Sequence, residues 1–161
     1  MPNQLEESIG EKLWKRRATL AVAESCTGGM VGSRITDVPG SSDYFLGGVI
    51  AYSNEAKVGV LGVRPETLIA YGAVSEQTAR EMAAGVRRAF GAQIGLSVTG
   101  IAGPGGGTPE KPVGLVWLAL SAREGELSHV LHLTGSRAHI RTDATEQLLT
   151  LLDEFLSTLS Q

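Results

Sequence analysis

The segment ATLAVAESCTGG, residues 18–29, decides the expected fold. Residues 18–24 are mostly small and apolar, which is typical of a short buried strand. Residues 25–29 break this pattern with hydroxyl, thiol and glycine residues, and a helix is predicted over residues 30–36. A buried strand, a glycine-containing turn and a helix in this order are typical of an α/β unit.

Strands and helices alternate along the rest of the chain. The other long helices are predicted at residues 3–17, 75–90 and about 137–159, and the other strands at about 45–52, 94–99, 113–120 and 127–133. The short link at Glu124-Gly125 makes the last two strands antiparallel, because a parallel crossover needs roughly a dozen residues. We therefore expect an α/β fold in which helices cover both faces of a mixed, mostly parallel sheet of about five strands.

Length and composition exclude several classes of protein. The chain has 161 residues, which suits one domain over residues 1–161, and a net charge of −3 that argues against a nucleic-acid partner. No apolar run reaches the ~18 residues of a membrane span. The single cysteine, Cys26, excludes a disulfide framework and a cysteine-built zinc site. No apolar stretch near Met1 has the character of a secretory signal, so we expect a cytoplasmic protein.

Polar side chains lie where three predicted strands end. Ser25 follows the first strand, Tyr52 ends the second and Thr99 ends the third. If these strands are parallel, the three side chains lie at one edge of the sheet, where ligands of open α/β sheets bind. The sequence therefore predicts a site at this edge.

The turn after Ser25 suits a nucleophile. Gly28 and Gly29 allow close backbone approach, and the amides of Thr27, Gly28 and Gly29 lie near the positive end of the following helix, where they could hold an oxyanion. The alternative is that Ser25 or Thr27 only caps the helix. Cys26 is a rival nucleophile, but neighbours in an extended chain point in opposite directions, so at most one of the two faces the site.

Lys57 is a candidate general base. If Asn54 caps the next helix, Lys57 falls in its first turn, where the positive end of the helix dipole disfavours a cation. Partial burial would lower the lysine pKa further, and a neutral lysine can accept a proton from a hydroxyl. Tyr52 could hydrogen-bond to this lysine or to the substrate. The alternatives are a solvated surface lysine and a tyrosine of the core or rim.

Two later features suit a phosphate. Arg137 and Arg141 share one face at the start of the last helix, and guanidinium groups bind phosphate monoesters well, although both arginines could equally be solvated. The glycine-rich stretch at residues 100–107 could wrap a phosphate or a flat ring, or act as a lid. It has neither the P-loop nor the dinucleotide-binding spacing.

Three longer motifs carry a resemblance to a known family. They are AESCTGG at residues 23–29, GVIAYSNEAK at residues 48–57 and VTGIAGPGG at residues 98–106, and the late pair Arg137 and Arg141 is similar to the family's ending. Over essentially its whole length, the sequence resembles the C-terminal domain of the CinA family. Its members include stand-alone nicotinamide-nucleotide amidohydrolases of the PncC type.

This resemblance implies a three-layer α/β/α sandwich that hydrolyses the carboxamide of nicotinamide mononucleotide to nicotinic acid mononucleotide and ammonia, in pyridine nucleotide (NAD) salvage. It implies Ser25 as the nucleophile, activated by Tyr52 and Lys57, with no metal and no cofactor. The expected substrate-binding residues are Thr27, Gly28, Gly29, Thr99, Gly100 and, for the phosphate, Arg137 or Arg141.

A second hypothesis remains open from the residues themselves. Glycine-rich loops and arginines also bind phosphates without chemistry, so a nucleotide-binding regulatory domain without turnover is the alternative function. As partners we expect a small-molecule substrate and a second copy of the chain in a homo-oligomer, but neither nucleic acid nor a membrane.

Overall fold

Helices and strands alternate through residues 4–159, which are the residues that the computed structural model describes. The helices are α1 (Gln4–Arg16), α2 (Met30–Thr36), α3 (Asn54–Gly59), α4 (Pro65–Tyr71), α5 (Glu76–Phe90) and α6 (Arg137–Leu159). The strands are β1 (Leu20–Glu24), β2 (Phe45–Ile50), β3 (Ile94–Gly100), β4 (Leu115–Ala122) and β5 (Gly125–His132). Asn3, where the first helix is predicted to begin, lies outside the described residues.

The five strands form one mixed sheet in the order β2-β1-β3-β4-β5. β1 pairs in parallel with both β2 and β3, whereas β4 is antiparallel to β3 and to β5. Only β4 therefore runs against the others, and the carboxyl ends of β1, β2 and β3 meet at one edge. The predicted α/β class, the mixed sheet and the antiparallel final pair are confirmed.

Helices cover both faces of this sheet, so the architecture has three layers. On one face, apolar side chains of α1, α2 and α6 pack on β1, β3 and β4 in the larger core, which includes Leu13, Leu96 and Leu148. On the other face, α5 packs across the sheet, and Met82 and Val86 join Leu61 in a second core. Within residues 4–159, no helix combines the length and the apolar character needed to cross a bilayer.

Helix α5 lies unusually close to the chain that follows α3. Ser75 caps the helix by accepting a hydrogen bond from the amide of Thr78 at 3.2 Å, as the sequence predicts. At Gly85, a Cβ atom would lie 1.8 Å from the carbonyl oxygen of Leu61. Only glycine therefore fits where α5 crosses this segment, and the contact fixes the distance between them.

We expect Gly85→Ala to lower the free energy of unfolding by about 2–3 kcal/mol, because the added methyl forces two backbone segments apart. Urea denaturation followed by circular dichroism measures the loss. Gly59→Ala is the matched control, since a Cβ there meets nothing within 4 Å. A control that loses as much stability, or a Gly85→Ala protein as stable as the parent, would contradict this account of the contact.

Candidate active site

The carboxyl ends of β1, β2 and β3 border a cavity of about 290 Å³. Its lining includes Ser25, Tyr52, Lys57, Thr99 and Arg137. Parallel pairing brings the first four together, although they are distant in sequence. The last comes from the first turn of α6, on the same edge of the sheet.

Lys57 is buried in the wall of this cavity, with an exposed fraction of 2%. Its Nζ donates hydrogen bonds to Ser25 Oγ at 3.1 Å, to the carbonyl oxygen of Ala51 at 2.9 Å and to that of Tyr52 at 3.4 Å. In the part of the chain that the structure describes, no carboxylate forms an ion pair with it. Burial lowers the pKa of Lys57 below its ordinary value, while the neighbouring Cys26 acts in the opposite direction.

The cause of this lowered pKa differs in part from the sequence-based expectation. Ser53, rather than Asn54, caps α3, because its Oγ accepts from the amide of Ala56 at 3.0 Å. Lys57 is therefore the fourth residue of a six-residue helix instead of lying at its first amides. Desolvation by burial is what disfavours the ammonium form.

Ser25 begins a tight turn, residues 25–28, that we name the nucleophile turn after the role predicted for Ser25. The amide of Ser25 donates to the carbonyl oxygen of Val98 at 3.0 Å, which ties the start of the turn to β3. The amide of Gly28 donates back to the carbonyl oxygen of Ser25 at 3.1 Å. Gly28 has a φ of 58° and Gly29 one of 109°, so both adopt conformations that favour glycine.

The predicted oxyanion donors are largely occupied. Gly28 donates within the nucleophile turn, and the amide of Gly29 donates to Glu24 Oε1 at 3.1 Å. Thr27 is fully buried and its hydroxyl donates to the same carboxylate at 2.6 Å. Internal acceptors therefore already use the amides of Gly28 and Gly29 in this structure, whereas the amide of Thr27 donates to no acceptor among the described residues, so of the three predicted oxyanion donors only Thr27 keeps an unused amide.

Glu24 is the residue that sequence reasoning missed. Its side chain is 2% exposed, and its carboxylate also accepts from the amides of Val31 at 3.0 Å and Gly32 at 3.0 Å. It thus satisfies the free amides at the start of α2, a place that favours negative charge. A lone acidic residue at the end of an apolar strand, just before a glycine turn and a helix, was the signal in the sequence.

Cys26 borders the cavity but belongs mainly to the core. It is 6% exposed and packs in the larger apolar cluster. Burial raises the pKa of its thiol to about 11, so the thiol stays protonated at neutral pH. Both Ser25 and Cys26 border the cavity because they lie in a turn rather than in extended chain, but only Ser25 is bonded to Lys57.

Tyr52 contacts Lys57 through its backbone carbonyl, so the hydrogen bond predicted between its phenol and the lysine is absent, while the alternative bond to the substrate stays a prediction. The side chain is 61% exposed, and its Oη accepts a hydrogen bond from Arg137 Nη2 at 3.0 Å. Arg137 Nη1 also donates to the carbonyl oxygen of Gly103 at 2.8 Å. Arg137 therefore joins the tyrosine to the glycine-rich loop across the cavity.

Thr99, Gly100 and Arg141, the remaining predicted substrate-binding residues, each contact a different part of the fold. Thr99 is 1% exposed, and its hydroxyl donates to the carbonyl oxygen of Ala73 at 2.9 Å. Gly100 borders the cavity at the end of β3, where a Cβ would lie 2.6 Å from a methyl of Val116. Arg141 Nε and Nη2 donate to the carbonyl oxygens of Cys26 at 2.9 Å and Thr27 at 3.1 Å.

A buried amine bonded to a strand-end hydroxyl, beside a cavity with one arginine, can support nucleophilic attack on a small anionic substrate. Within residues 4–159, no three His, Cys, Asp or Glu side chains are grouped so that they could hold a metal ion.

Comparison with known proteins identifies relatives along nearly the whole chain. A family model described as the CinA C-terminal domain matches residues 2–156. Proteins named competence-damage inducible protein are 55% identical over 153 residues in Halothermothrix orenii and 56% identical over 149 residues in Moorella thermoacetica. These matches cover 94% and 92% of this chain but only 37% and 36% of the relatives. The chain thus spans little more than a third of their length.

Solved structures agree with this assignment. A CinA superfamily protein from Klebsiella pneumoniae is 34% identical, with a TM-score of 0.92, over 96% of this chain and 97% of that one. A competence/damage inducible protein from Agrobacterium tumefaciens is 42% identical, with a TM-score of 0.88, over 100% of this chain and 98% of that one. The family resemblance seen in the sequence motifs is confirmed: the chain belongs to the CinA C-terminal domain family.

Proposed function

We propose that this chain, acting as one domain over residues 1–161, is an amidohydrolase of pyridine nucleotide salvage. It hydrolyses the carboxamide of nicotinamide mononucleotide to nicotinic acid mononucleotide and ammonia. The observation that carries the proposal is the 3.1 Å hydrogen bond between the buried Lys57 Nζ and Ser25 Oγ. A nucleophile and its base within hydrogen-bonding distance are the arrangement that covalent catalysis requires.

The three partners of Lys57 suit the neutral amine. A neutral amine has two N–H groups and one lone pair. The carbonyl oxygens of Ala51 and Tyr52 can only accept, so they take the two N–H groups. The lone pair is then left for the hydroxyl of Ser25, which can reverse its hydrogen bond and donate. Lys57 can therefore take up the serine proton without losing either carbonyl partner.

The reaction follows in two halves. Ser25 Oγ attacks the carboxamide carbon while its proton passes to Lys57 Nζ, and a tetrahedral intermediate forms. When the C–N bond breaks, Lys57 returns the proton to the departing nitrogen, which leaves as ammonia. Water then attacks the acyl ester while Lys57 takes one of its protons. When the ester C–O bond breaks, Lys57 returns this proton to Ser25 Oγ, and nicotinic acid mononucleotide is released.

The amide of Cys26 is the proposed donor to the oxyanion. It follows the nucleophile directly, as the donor does in α/β-hydrolases, and Cys26 borders the cavity. Among the described residues, the amides of Cys26 and Thr27 donate to no other residue, in contrast to the amides of Gly28 and Gly29, and of these two only Cys26 borders the cavity. A backbone donor held by a rigid turn stabilises the developing charge with little reorganisation.

Arg137 is the proposed ligand of the 5′-phosphate. It borders the cavity, is exposed, and holds only neutral acceptors, so a phosphate can displace them in favour of charge-assisted hydrogen bonds. Arg141 does not border the cavity, and two backbone carbonyls already occupy its guanidinium. This distinction separates two arginines that the sequence leaves equivalent.

Ser25→Ala should lower ammonia release from nicotinamide mononucleotide by about a thousandfold or more, because it removes the nucleophile. Cys26→Ala should keep activity within about tenfold, since a protonated, buried thiol takes no part. A coupled ammonia assay measures both. Retained activity in the serine variant would refute the assignment. A wild-type protein whose melting temperature rises with the mononucleotide, but which releases no ammonia, would favour the binding-only alternative.

The pH profile tests the base. Only neutral Lys57 accepts a proton, so kcat/KM should rise with pH and level off above the pKa of Lys57. Because burial lowers this pKa, the rise should lie below the ordinary lysine value of about 10.4. Lys57→Arg should be nearly inactive at every pH, whereas Lys15→Arg, at an exposed position of α1, should keep the parental profile. A rise centred at the ordinary lysine value would count against the proposal.

Arg137→Met should raise the KM for nicotinamide mononucleotide by about tenfold or more with a small change in kcat, because a charge-assisted contact to the phosphate is lost. Steady-state kinetics separate the two constants. The smaller nicotinamide riboside, which has no phosphate, serves as the control substrate and should be affected little. An equal loss with both substrates would contradict a phosphate-binding role.

A further inference from the structure

The geometry points to Arg141 as a positioning residue that holds the nucleophile turn for catalysis and does not bind substrate. This inference rests on the proposed function and extends it to a residue that the sequence presents only as a candidate phosphate ligand.

Arg141 reaches the nucleophile turn from a rigid support. It lies in the second turn of α6, between Ile140 and Ala144, which are both buried in the larger core. Its Nε donates to the carbonyl oxygen of Cys26 at 2.9 Å, and its Nη2 donates to that of Thr27 at 3.1 Å. The planar guanidinium thus binds two consecutive carbonyls with its fixed fork, which a single point charge cannot do equally well.

The approach of Arg141 is close enough to constrain the next residue. A Cβ at position 28 would lie 3.2 Å from Arg141 Nη2, in addition to the positive φ of Gly28. Glycine therefore leaves room for the guanidinium above the turn. The second glycine, Gly29, faces Ile50 instead, with a Cβ position 3.3 Å from its Cδ1.

The opposite side of the turn is held by negative charge. The carboxylate of Glu24 accepts from Thr27 Oγ1 and from the amides of Gly29, Val31 and Gly32. Two carbonyls of the turn therefore accept from the guanidinium of Arg141, while the hydroxyl of Thr27 and the amides that follow the turn donate to the carboxylate of Glu24. Hydrogen bonds to charged groups are about twice as strong as neutral ones, so the turn is held firmly between them.

This arrangement sets the direction of the groups that react. A peptide unit is planar, with its C=O and N–H on opposite sides. The amide of Gly28 holds the carbonyl of Ser25, in the peptide unit that contains the Cys26 amide, and Arg141 holds the carbonyl of Cys26, in the next unit. Arg141 therefore acts on the proposed oxyanion donor through the shape of the whole turn. The proposed oxyanion donor and Ser25 Oγ, 3.1 Å from Lys57 Nζ, are held in place as a consequence.

Kinetics separate positioning from binding. Misplacement of reacting groups by about 1 Å can cost about a hundredfold in rate, so Arg141→Met should lower kcat by up to this factor. The KM for nicotinamide mononucleotide should stay within about twofold, because no substrate contact is lost. Arg141→Lys should recover only part of the rate. Added guanidinium ion at millimolar concentration should partly rescue Arg141→Ala, and sodium chloride should not.

Hydrogen exchange gives a readout that needs no substrate. In Arg141→Met, amides of residues 25–29 should exchange faster, with little change in β4 and β5. Arg137→Met should leave the exchange of residues 25–29 unchanged, because the hydrogen bonds of Arg137 go to Gly103 and Tyr52 and not to this turn. Arg123→Met, at an exposed position between β4 and β5, is the matched control for the loss of one positive charge and should change neither exchange in the turn nor kinetics.

The outcomes decide between the roles. A raised KM with kcat unchanged in Arg141→Met, or unaltered exchange in residues 25–29, would overturn the inference. If Arg141→Met does not fold, Arg141→Lys provides the same two measurements. If the wild-type protein releases no ammonia from the mononucleotide, the proposed function fails. The exchange data alone then support or overturn the role of Arg141 in holding the turn.

Discussion

Burying an amine away from carboxylates costs free energy as long as the amine keeps its proton. Lys57 is in this position: it lies in the cavity wall, its partners are two carbonyls and the hydroxyl of Ser25, and burial lowers its pKa. The same burial that disfavours the ammonium form places the amine on a hydroxyl from which it can remove a proton. The position of Lys57 in the fold therefore accounts both for its lowered pKa and for its proposed role as the base.

The sheet and the helix termini supply the rest of the site. Parallel pairing of β1 with β2 and β3 brings Ser25, Lys57 and Thr99 to one edge. Around the nucleophile turn, the charges of Glu24 and Arg141 are used for backbone hydrogen bonds. Arg137 keeps neutral partners and borders the cavity. Arg137 and Arg141 are one helical turn apart on α6 but have different partners. The first faces the cavity, and the second faces the nucleophile turn.

Much of the fold could be predicted from local patterns. Apolar runs such as residues 18–24 identify strands, and helical spacing with caps such as Ser75 identifies helices to within a few residues. Errors are largest where local signals compete. Ser53 and Asn54 are both good caps, and the choice between them moves Lys57 relative to the first amides of α3. Which of the two residues caps α3 depends on how the neighbouring elements pack.

The α/β class, the family and the set of polar residues at strand ends could be predicted before folding is considered, because they depend on periodicity and on motifs that can be read along the chain. What each of these residues contacts became visible only in the folded protein. The tertiary structure assigned Glu24 to the amides of α2, the phenol of Tyr52 to Arg137, and Arg141 to the nucleophile turn. Hydrogen bonds and desolvation depend on distances between segments remote in sequence, and these distances exist only after the helices have packed on the sheet.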